Sequence, residues 1–136
     1  MSAPKNNLSR ILCLHGGGSS ALIFRAQMRS IIKHHEDSFR YVFVNAPWIS
    51  EKHFVLQSVY PNLNPCYRWA RWLEDQPSLH DETAAEEIER VIVTDMAKDE
   101  GIGEWTGILG FSQGARMAFS ISVSYTHLTL PTTPYV

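Results

Sequence analysis

Cysteine is scarce in this sequence, and long hydrophobic runs and blocks of like charge are missing. The two cysteines, Cys13 and Cys66, cannot form a disulfide framework, so we expect two free thiols in a reducing compartment. No apolar run approaches the roughly 18 residues that a membrane-spanning helix needs. The first ten residues, MSAPKNNLSR, lack the apolar centre of a signal peptide. These absences favour a cytoplasmic protein with no membrane partner.

The charge balance and the histidine pattern exclude further classes of function. A net charge of −2, from 12 basic and 14 acidic residues, argues against a nucleic-acid partner, because phosphate binding needs clustered Lys and Arg. There is no HExxH motif and no paired cysteine, and His34 and His35 are adjacent rather than on one helical face. We therefore expect neither a metal site nor a cofactor.

Short apolar runs that end in glycine or proline alternate with helical patterns along the 136 residues. Residues 11–14 (ILCL), residues 41–44 (YVFV) and the run before Gly110 predict buried strands. Helical spacing predicts one helix over 21–35 and another that begins at the capping-box pattern of Thr83. Residues 48–79 read as an inserted, partly helical loop region. The order predicts a single α/β domain with a parallel sheet.

The most specific motif is GFSQG, which matches G-x-S-x-G between an apolar strand and a helix. In that context Ser112 is a candidate nucleophile on a sharp turn, and Gly110 and Gly114 allow the turn because they have no side chain to clash. The backbone N–H of Gln113, at the start of the following helix, is positioned to stabilise an oxyanion. A glycine-rich loop with an incidental serine is the simpler alternative, but the flanking strand and helix favour the nucleophile.

The motif HGGG follows the first predicted strand. A loop of this type donates a second N–H to the oxyanion hole of such hydrolases, and Gly17 is the candidate donor. His15 is predicted to be structural and to hold this loop. These glycines alone would indicate only a tight turn; together with Ser112 they indicate an oxyanion hole.

The segments LCLHGGGSSALIF, FVNAP, NPCYRW and TGILGFSQGA, in this order over about residues 10–120, resemble the fungal serine hydrolase (FSH) family of α/β-hydrolases. The resemblance implies an esterase or a thioesterase. Its substrate would be a small-molecule ester or an acyl thioester, and an acyl group on a polyketide synthase carrier is one example. Acyl-protein thioesterases and related carboxylesterases share GFSQG and are a near alternative. Asn45 departs from the family, which often has Asp before Ala-Pro.

The family also has a triad acid and a triad histidine after the nucleophile, in that order. After Ser112 this sequence has no Asp or Glu and one histidine, His127, which follows the nucleophile helix too soon to return to the sheet edge. Residues 123–132, VSYTHLTLPT, are similar to the translated adapter of transposase-based sequencing libraries. We therefore expect a partial hydrolase domain over residues 8–122 that lacks the triad Asp and His, followed by a non-native tail over 123–136.

Two questions stay open from the sequence. The aromatic residues Tyr60, Trp69 and Trp72 of the insert either line an acyl pocket or belong to the core. The chain is either part of an enzyme or, as it stands, an inactive fragment or a binding module on the same scaffold.

Overall fold

A computed structural model describes residues 5–77 and 81–129 of the chain. A short 3-10 helix, Lys5–Asn7, precedes the first strand. The described strands are β1 Ser9–Leu14, β2 Phe39–Val44, β3 Trp48–Ser50, β4 Cys66–Arg68 and β5 Trp105–Gly110. The described helices are α1 Ala21–Gln27, α2 Arg29–His34, α3 Phe54–Val59, α4 Asp81–Lys98 and α5 Gln113–Thr129.

The main sheet has the strand order β2-β1-β5, and both pairings are parallel. Leu14, at the end of β1, lies opposite Val44 of β2 and Gly110 of β5, so the three strands end at one edge. This is the edge at which open α/β sheets bind their ligands. The structure confirms the predicted α/β fold with a parallel sheet and flanking helices.

Both faces of β1 are buried, which explains why its sequence shows no alternation. Leu12 and Leu14 belong to a core cluster with Ile92 of α4, and partly buried residues of α5 pack against that cluster. Cys13 faces the other way and packs with Phe24 of α1. Within the described residues, no helix is both long enough and apolar enough to cross a bilayer.

Three predicted elements need correction. The helix predicted over 21–35 is two helices, because buried Met28 has φ −94° and ψ 6° and turns the chain between them. The helix predicted to begin at Thr83 is α4, which already includes Asp81, so Thr83 lies inside it. A Thr-x-x-Glu pattern also suits a helix interior, because Glu is a good helix former. The insert contains α3 as predicted, but also an antiparallel β3-β4 pair whose three-residue strands are too short to show alternation.

An ion-pair cluster lies at the opposite edge of the sheet, where the parallel strands begin. Asp99 Oδ1 lies 2.8 Å from the guanidinium of Arg40 in β2, and Asp99 Oδ2 lies 3.4 Å from that of Arg10 in β1. Only 9% of the Asp99 side chain is exposed. The hydrogen bond from Arg40 is the main cause that holds the pKa of Asp99 below its usual value. The cluster therefore joins two strands to the segment that follows α4.

We expect Asp99→Asn to lower the free energy of unfolding at pH 7 by on the order of 1–2 kcal/mol, because Arg40 and Arg10 lose their shared anion. Since folding lowers the Asp99 pKa, its stabilisation is complete above the unfolded pKa of about 3.9 and is lost as pH falls towards the folded value. Urea denaturation measured from pH 7 to 3 should therefore show a weaker acid dependence in the variant.

The matched control is Glu87→Gln, which breaks an exposed pair with Arg90 on the surface of α4. We expect this change to leave the urea midpoint unaltered, because exposed pairs contribute little. Equal midpoints for the Asp99 variant and the wild type would contradict the role given to the cluster.

Candidate active site

Ser112 lies in the two-residue turn between β5 and α5 and has a φ of 56°. This is the left-handed region, which costs a non-glycine residue on the order of 1 kcal/mol or more. The flanking glycines make the turn sterically possible. A Cβ on Gly110 would lie 2.3 Å from the carbonyl oxygen of Gly114, and a Cβ on Gly114 would lie 2.0 Å from that of Leu14. The turn therefore presents an exposed serine at the carboxyl edge of the sheet.

The glycines of the HGGG motif lie directly against this turn. A Cβ on Gly16 would be 3.5 Å from Ser112 Cβ, and a Cβ on Gly17 would be 2.7 Å from Gln113 Cδ. Within residues 5–77 and 81–129, the backbone N–H groups of Gly17 and Gln113 donate to no protein acceptor. Gly17 thus lies against the Gln113 side chain, and Gly16 lies against Ser112; the role of the Gly17 and Gln113 N–H groups as oxyanion donors stays a prediction.

His15 is fully buried, and its ring is held at both nitrogens. Nε2 lies 3.0 Å from the backbone N–H of Ala46 and must accept from it, so the ring is neutral and Nδ1–H donates to Gly16 O at 2.6 Å. Burial lowers the pKa of His15 to about 4. The ring fixes the HGGG loop to the segment after β2, in agreement with the structural role predicted from the sequence.

The side chain of Gln113 binds the insert, which sequence reasoning did not predict. Its Oε1 accepts from the backbone N–H groups of Trp69, at 3.1 Å, and Ala70, at 3.2 Å, and its Nε2 donates to Ala70 O at 3.1 Å. The same amide lies against Gly17. Gln113 therefore joins the nucleophile turn, the HGGG loop and the segment after β4.

The three aromatic residues of the insert lie in different environments. Trp69 belongs to the core: it is buried, and its Nε1 donates to His15 O at 2.7 Å. Trp72 instead borders a cleft beside Ser112, and its Nε1 donates to Ser50 Oγ at 2.9 Å. Tyr60 caps α3 and does not line that cleft. The pocket interpretation therefore applies to Trp72 alone.

The cleft beside Ser112 has a volume of about 510 Å³. It is lined by Arg71, Trp72, Ser112, Gln113 and Arg116. A neighbouring depression of about 650 Å³ is lined by residues 71–74. The two arginines were missed in the sequence, although Arg116 stands four residues after Ser112, at the spacing that places side chains on one helical face.

The described histidine rings with hydrogen bonds bind partners other than Ser112. His15 contacts Gly16 and Ala46, His34 contacts Ser30 O at 2.8 Å, and the ring of His53 accepts from Val55 N at 3.3 Å. His80 and the side chain of His127 lie outside the described residues. Within the described parts of the chain, no group of three or more His, Cys, Asp or Glu side chains could hold a metal ion.

Two further sequence expectations concern residues around the site. Cys13 and Cys66 are free and buried, as predicted, and burial raises the pKa of the Cys13 thiol to about 12. Asn45 accepts a hydrogen bond from the backbone N–H of Ala21 at 2.8 Å, at the start of α1. An Asp at position 45 has the same acceptor oxygen, so this departure from the family pattern preserves a local contact.

We expect acid to destabilise the protein through His15. Because the folded pKa is about 4 and the unfolded value about 6.5, the unfolded chain binds the proton first, and stability falls as pH drops between these values. The slope from this group is at most about 1.4 kcal/mol per pH unit. Urea unfolding at pH 7 and pH 5 should show this loss in the wild type and a smaller one in His15→Gln.

The matched control is His35→Gln, an exposed histidine, which should behave like the wild type. An unchanged pH dependence of stability in the His15 variant would contradict the assignment.

We expect Gln113→Met to lower the free energy of unfolding by on the order of 1–3 kcal/mol, because two partly buried backbone N–H groups lose their acceptor. Thermal denaturation measures the loss. Gln57→Met, on the exposed face of α3, is the matched control and should change the midpoint little. Equal midpoints for the two variants would show that the Gln113 amide does not hold the insert.

Sequence comparison finds relatives of this chain that are named esterases. The chain is 43% identical over 118 residues to "Esterase citA" of Monascus ruber, an alignment that covers 85% of this chain and 45% of that protein. It is 43% identical over 118 residues to "Esterase mpl1" of Monascus purpureus, covering 38% of that protein, and 42% identical to "Esterase claE" of Penicillium crustosum, covering 44%. The chain thus spans less than half the length of these relatives. No solved structure is a significant match.

The family comparison covers almost the whole chain. The serine hydrolase (FSH1) family matches residues 1–134, and the match extends beyond residue 122, where the sequence analysis ended the hydrolase domain. The assignment of residues 123–136 as a non-native tail stays a prediction; the backbone of α5 continues to Thr129. The parallel sheet, the strand–serine–helix turn and the esterase relatives agree with the match, and the chain belongs to the serine hydrolase (FSH1) family.

Proposed function

We propose that this protein acts as a serine esterase that cleaves a carboxylic ester or a thioester through an acyl-enzyme on Ser112. The observation that carries the proposal is the left-handed backbone of Ser112, φ 56°, at a turn that opens into a cleft. A strained non-glycine residue at a strand-to-helix turn is the arrangement that exposes a nucleophile. The family and the esterase relatives support hydrolysis as the reaction class.

Stabilisation of the oxyanion is assigned to the backbone N–H groups of Gly17 and Gln113. Both are free of protein acceptors in the described part of the chain; Gln113 follows Ser112 directly, and Gly17 lies against the Gln113 side chain. When Ser112 Oγ attacks the acyl carbon, negative charge develops on the carbonyl oxygen, and fixed N–H donors stabilise it without reorganisation. Loss of one such donor typically costs on the order of 10²–10³ in rate.

The general base and its orienting acid are proposed to come from residues outside this sequence. The buried, neutral ring of His15 uses both nitrogens for the HGGG loop and has none left for Ser112. No Asp or Glu follows Ser112 here, whereas hydrolases of this shape have the chain order Ser, acid, His. The chain of 136 residues by itself is therefore proposed to be inactive.

The substrate is proposed to be a small molecule with an acyl ester or thioester bond, and an acyl group on a polyketide synthase carrier is one such thioester. The cleft supports a small acyl group, because Trp72 supplies an apolar wall next to Ser112. The proposed reaction needs no cofactor: Ser112 Oγ bonds to the acyl carbon, the general base passes the serine proton to the departing alcohol or thiol, and water then releases the acyl group as the acid.

We expect the full-length gene product to hydrolyse 4-nitrophenyl butyrate and to be labelled on Ser112 by a fluorophosphonate, as mass spectrometry of the tryptic peptide would show. Ser112→Ala should abolish labelling and lower kcat by about 10⁶-fold, the loss seen when a nucleophile is removed from a serine hydrolase.

Ser120→Ala, on the exposed face of the same helix, is the control and should keep both activities. Labelling of Ser112 in the isolated 136-residue chain would contradict the proposal that the base lies outside it. Hydrolysis that survives in the Ser112 variant would overturn the assignment of the nucleophile.

A further inference from the structure

We propose that the cleft beside Ser112 binds substrates with an anionic group, a carboxylate or a phosphate, close to the scissile acyl carbon, and that Arg116 holds this group. The inference rests on the proposed function of Ser112 and adds a substrate class to it. Two of the five lining residues are arginines, and none of the described lining residues is acidic. The protein as a whole has a net charge of −2, so this local excess of positive charge is not a general property of its surface.

Arg116 is placed to reach the reacting group. It stands on the first turn of α5, four residues after Ser112, and long side chains on a helix lean towards its N-terminus. The guanidinium is therefore directed back over the turn that carries the nucleophile, in agreement with its place in the cleft wall. In the described part of the chain, no hydrogen bond or ion pair occupies the Arg116 side chain.

Helix stability does not explain a cation at this position. The N-terminal end of a helix carries a partial positive charge, so an arginine in the first turn is unfavourable there by up to about 1 kcal/mol. The first turn of α5 has no acidic residue to compensate. The charge of exposed Arg116 opposes the helix dipole and has no ion-pair partner among the described residues, and an anionic group of the substrate would compensate it.

Arg71 adds a second positive charge to the lining of the cleft. Its Nε donates to Leu73 O at 3.1 Å, and its guanidinium also donates to Glu74 O. These bonds hold the side chain in place on a segment that Gln113 fastens to the nucleophile turn. Arg71 thus contributes a fixed charge to the potential of the cleft, and Arg116 contributes the guanidinium that contacts the anion.

Two kinds of substrate present such an anion, and matched esters distinguish them. A charge on the acyl side is tested with 4-nitrophenyl hydrogen adipate against 4-nitrophenyl 6-methylheptanoate, in which an isopropyl group replaces the carboxylate. A charge on the leaving group is tested with 3-carboxy-4-nitrophenyl butyrate against 4-nitrophenyl butyrate. For each enzyme, the readout is the ratio of kcat/KM for the charged ester to that for its neutral partner.

We expect the full-length gene product to favour the charged ester of one pair by roughly tenfold, the low end for a hydrogen bond to a charged group. Arg116→Gln should abolish this preference, Arg116→Lys should restore part of it, and 0.5 M NaCl should reduce it. Arg29→Gln removes a charge from the exposed surface of α2 and is the matched control, which should keep the wild-type ratio.

A measurement without turnover separates this inference from the proposed function. Titration with sodium adipate should shift the backbone amide NMR signals of Gln113 and Arg116 saturably in the wild type, but not in Arg116→Gln. Hydrolysis of neutral esters with no charge preference in either pair, or a preference that survives in Arg116→Gln, would overturn the anion site alone. Saturable adipate binding in a protein that hydrolyses none of the esters would overturn the proposed function and retain the anion site.

Discussion

The carbonyl group of Leu14, at the last residue of β1, is the point on which the candidate site depends. Its oxygen accepts a hydrogen bond from the backbone N–H of Phe111 at 3.1 Å. The same oxygen would be only 2.0 Å from a Cβ on Gly114, so only glycine fits at that position. Because the backbone of α5 packs directly on this carbonyl, the turn between β5 and α5 has little freedom. Within this restricted turn, Ser112 has the left-handed backbone conformation.

His15, the next residue, extends the same constraint to the rest of the site. Its ring connects the HGGG loop to Ala46, and its carbonyl oxygen accepts from the indole of buried Trp69. Burial lowers the pKa of His15 and keeps the ring neutral, and a neutral ring can accept the hydrogen bond from Ala46 that a charged ring could not. The side-chain amide of Gln113 also hydrogen-bonds to the backbone of Trp69 and Ala70 in the insert. Buried hydrogen bonds, not the loop sequence alone, thus place the insert against the nucleophile turn.

The arginines at the two edges of the sheet have different neighbours. At the edge where the parallel strands begin, Asp99 compensates the charges of Arg10 and Arg40. At the edge where they end, the cleft has Arg71 and Arg116 in its walls and no acid among its described lining residues. The Asp99 cluster stabilises the sheet, whereas Arg116, which has no ion-pair partner among the described residues, lies in the cleft beside Ser112. This distribution agrees with a binding role at one edge and a structural role at the other.

Much of the fold and part of the site could be predicted from local sequence. The apolar runs of β1, β2 and β5, the glycine turns and the GFSQG motif predicted a parallel α/β sheet with Ser112 at a strand-to-helix turn, because strand burial and left-handed turns depend on neighbouring residues. The break at Met28 and the β3-β4 pair were missed, since core packing and pairing across the insert decide them. The separate environments of Trp69 and Trp72 depend on bonds to His15 and Ser50, which are 54 and 22 positions away. The Gln113 amide bonds, and the cleft that Arg71 and Arg116 both line, join residues more than about 40 positions apart. The sequence by itself determined the turn that carries Ser112 and the class of fold; only the tertiary structure decided what surrounds that turn, because contacts between distant segments leave no periodic pattern in the chain.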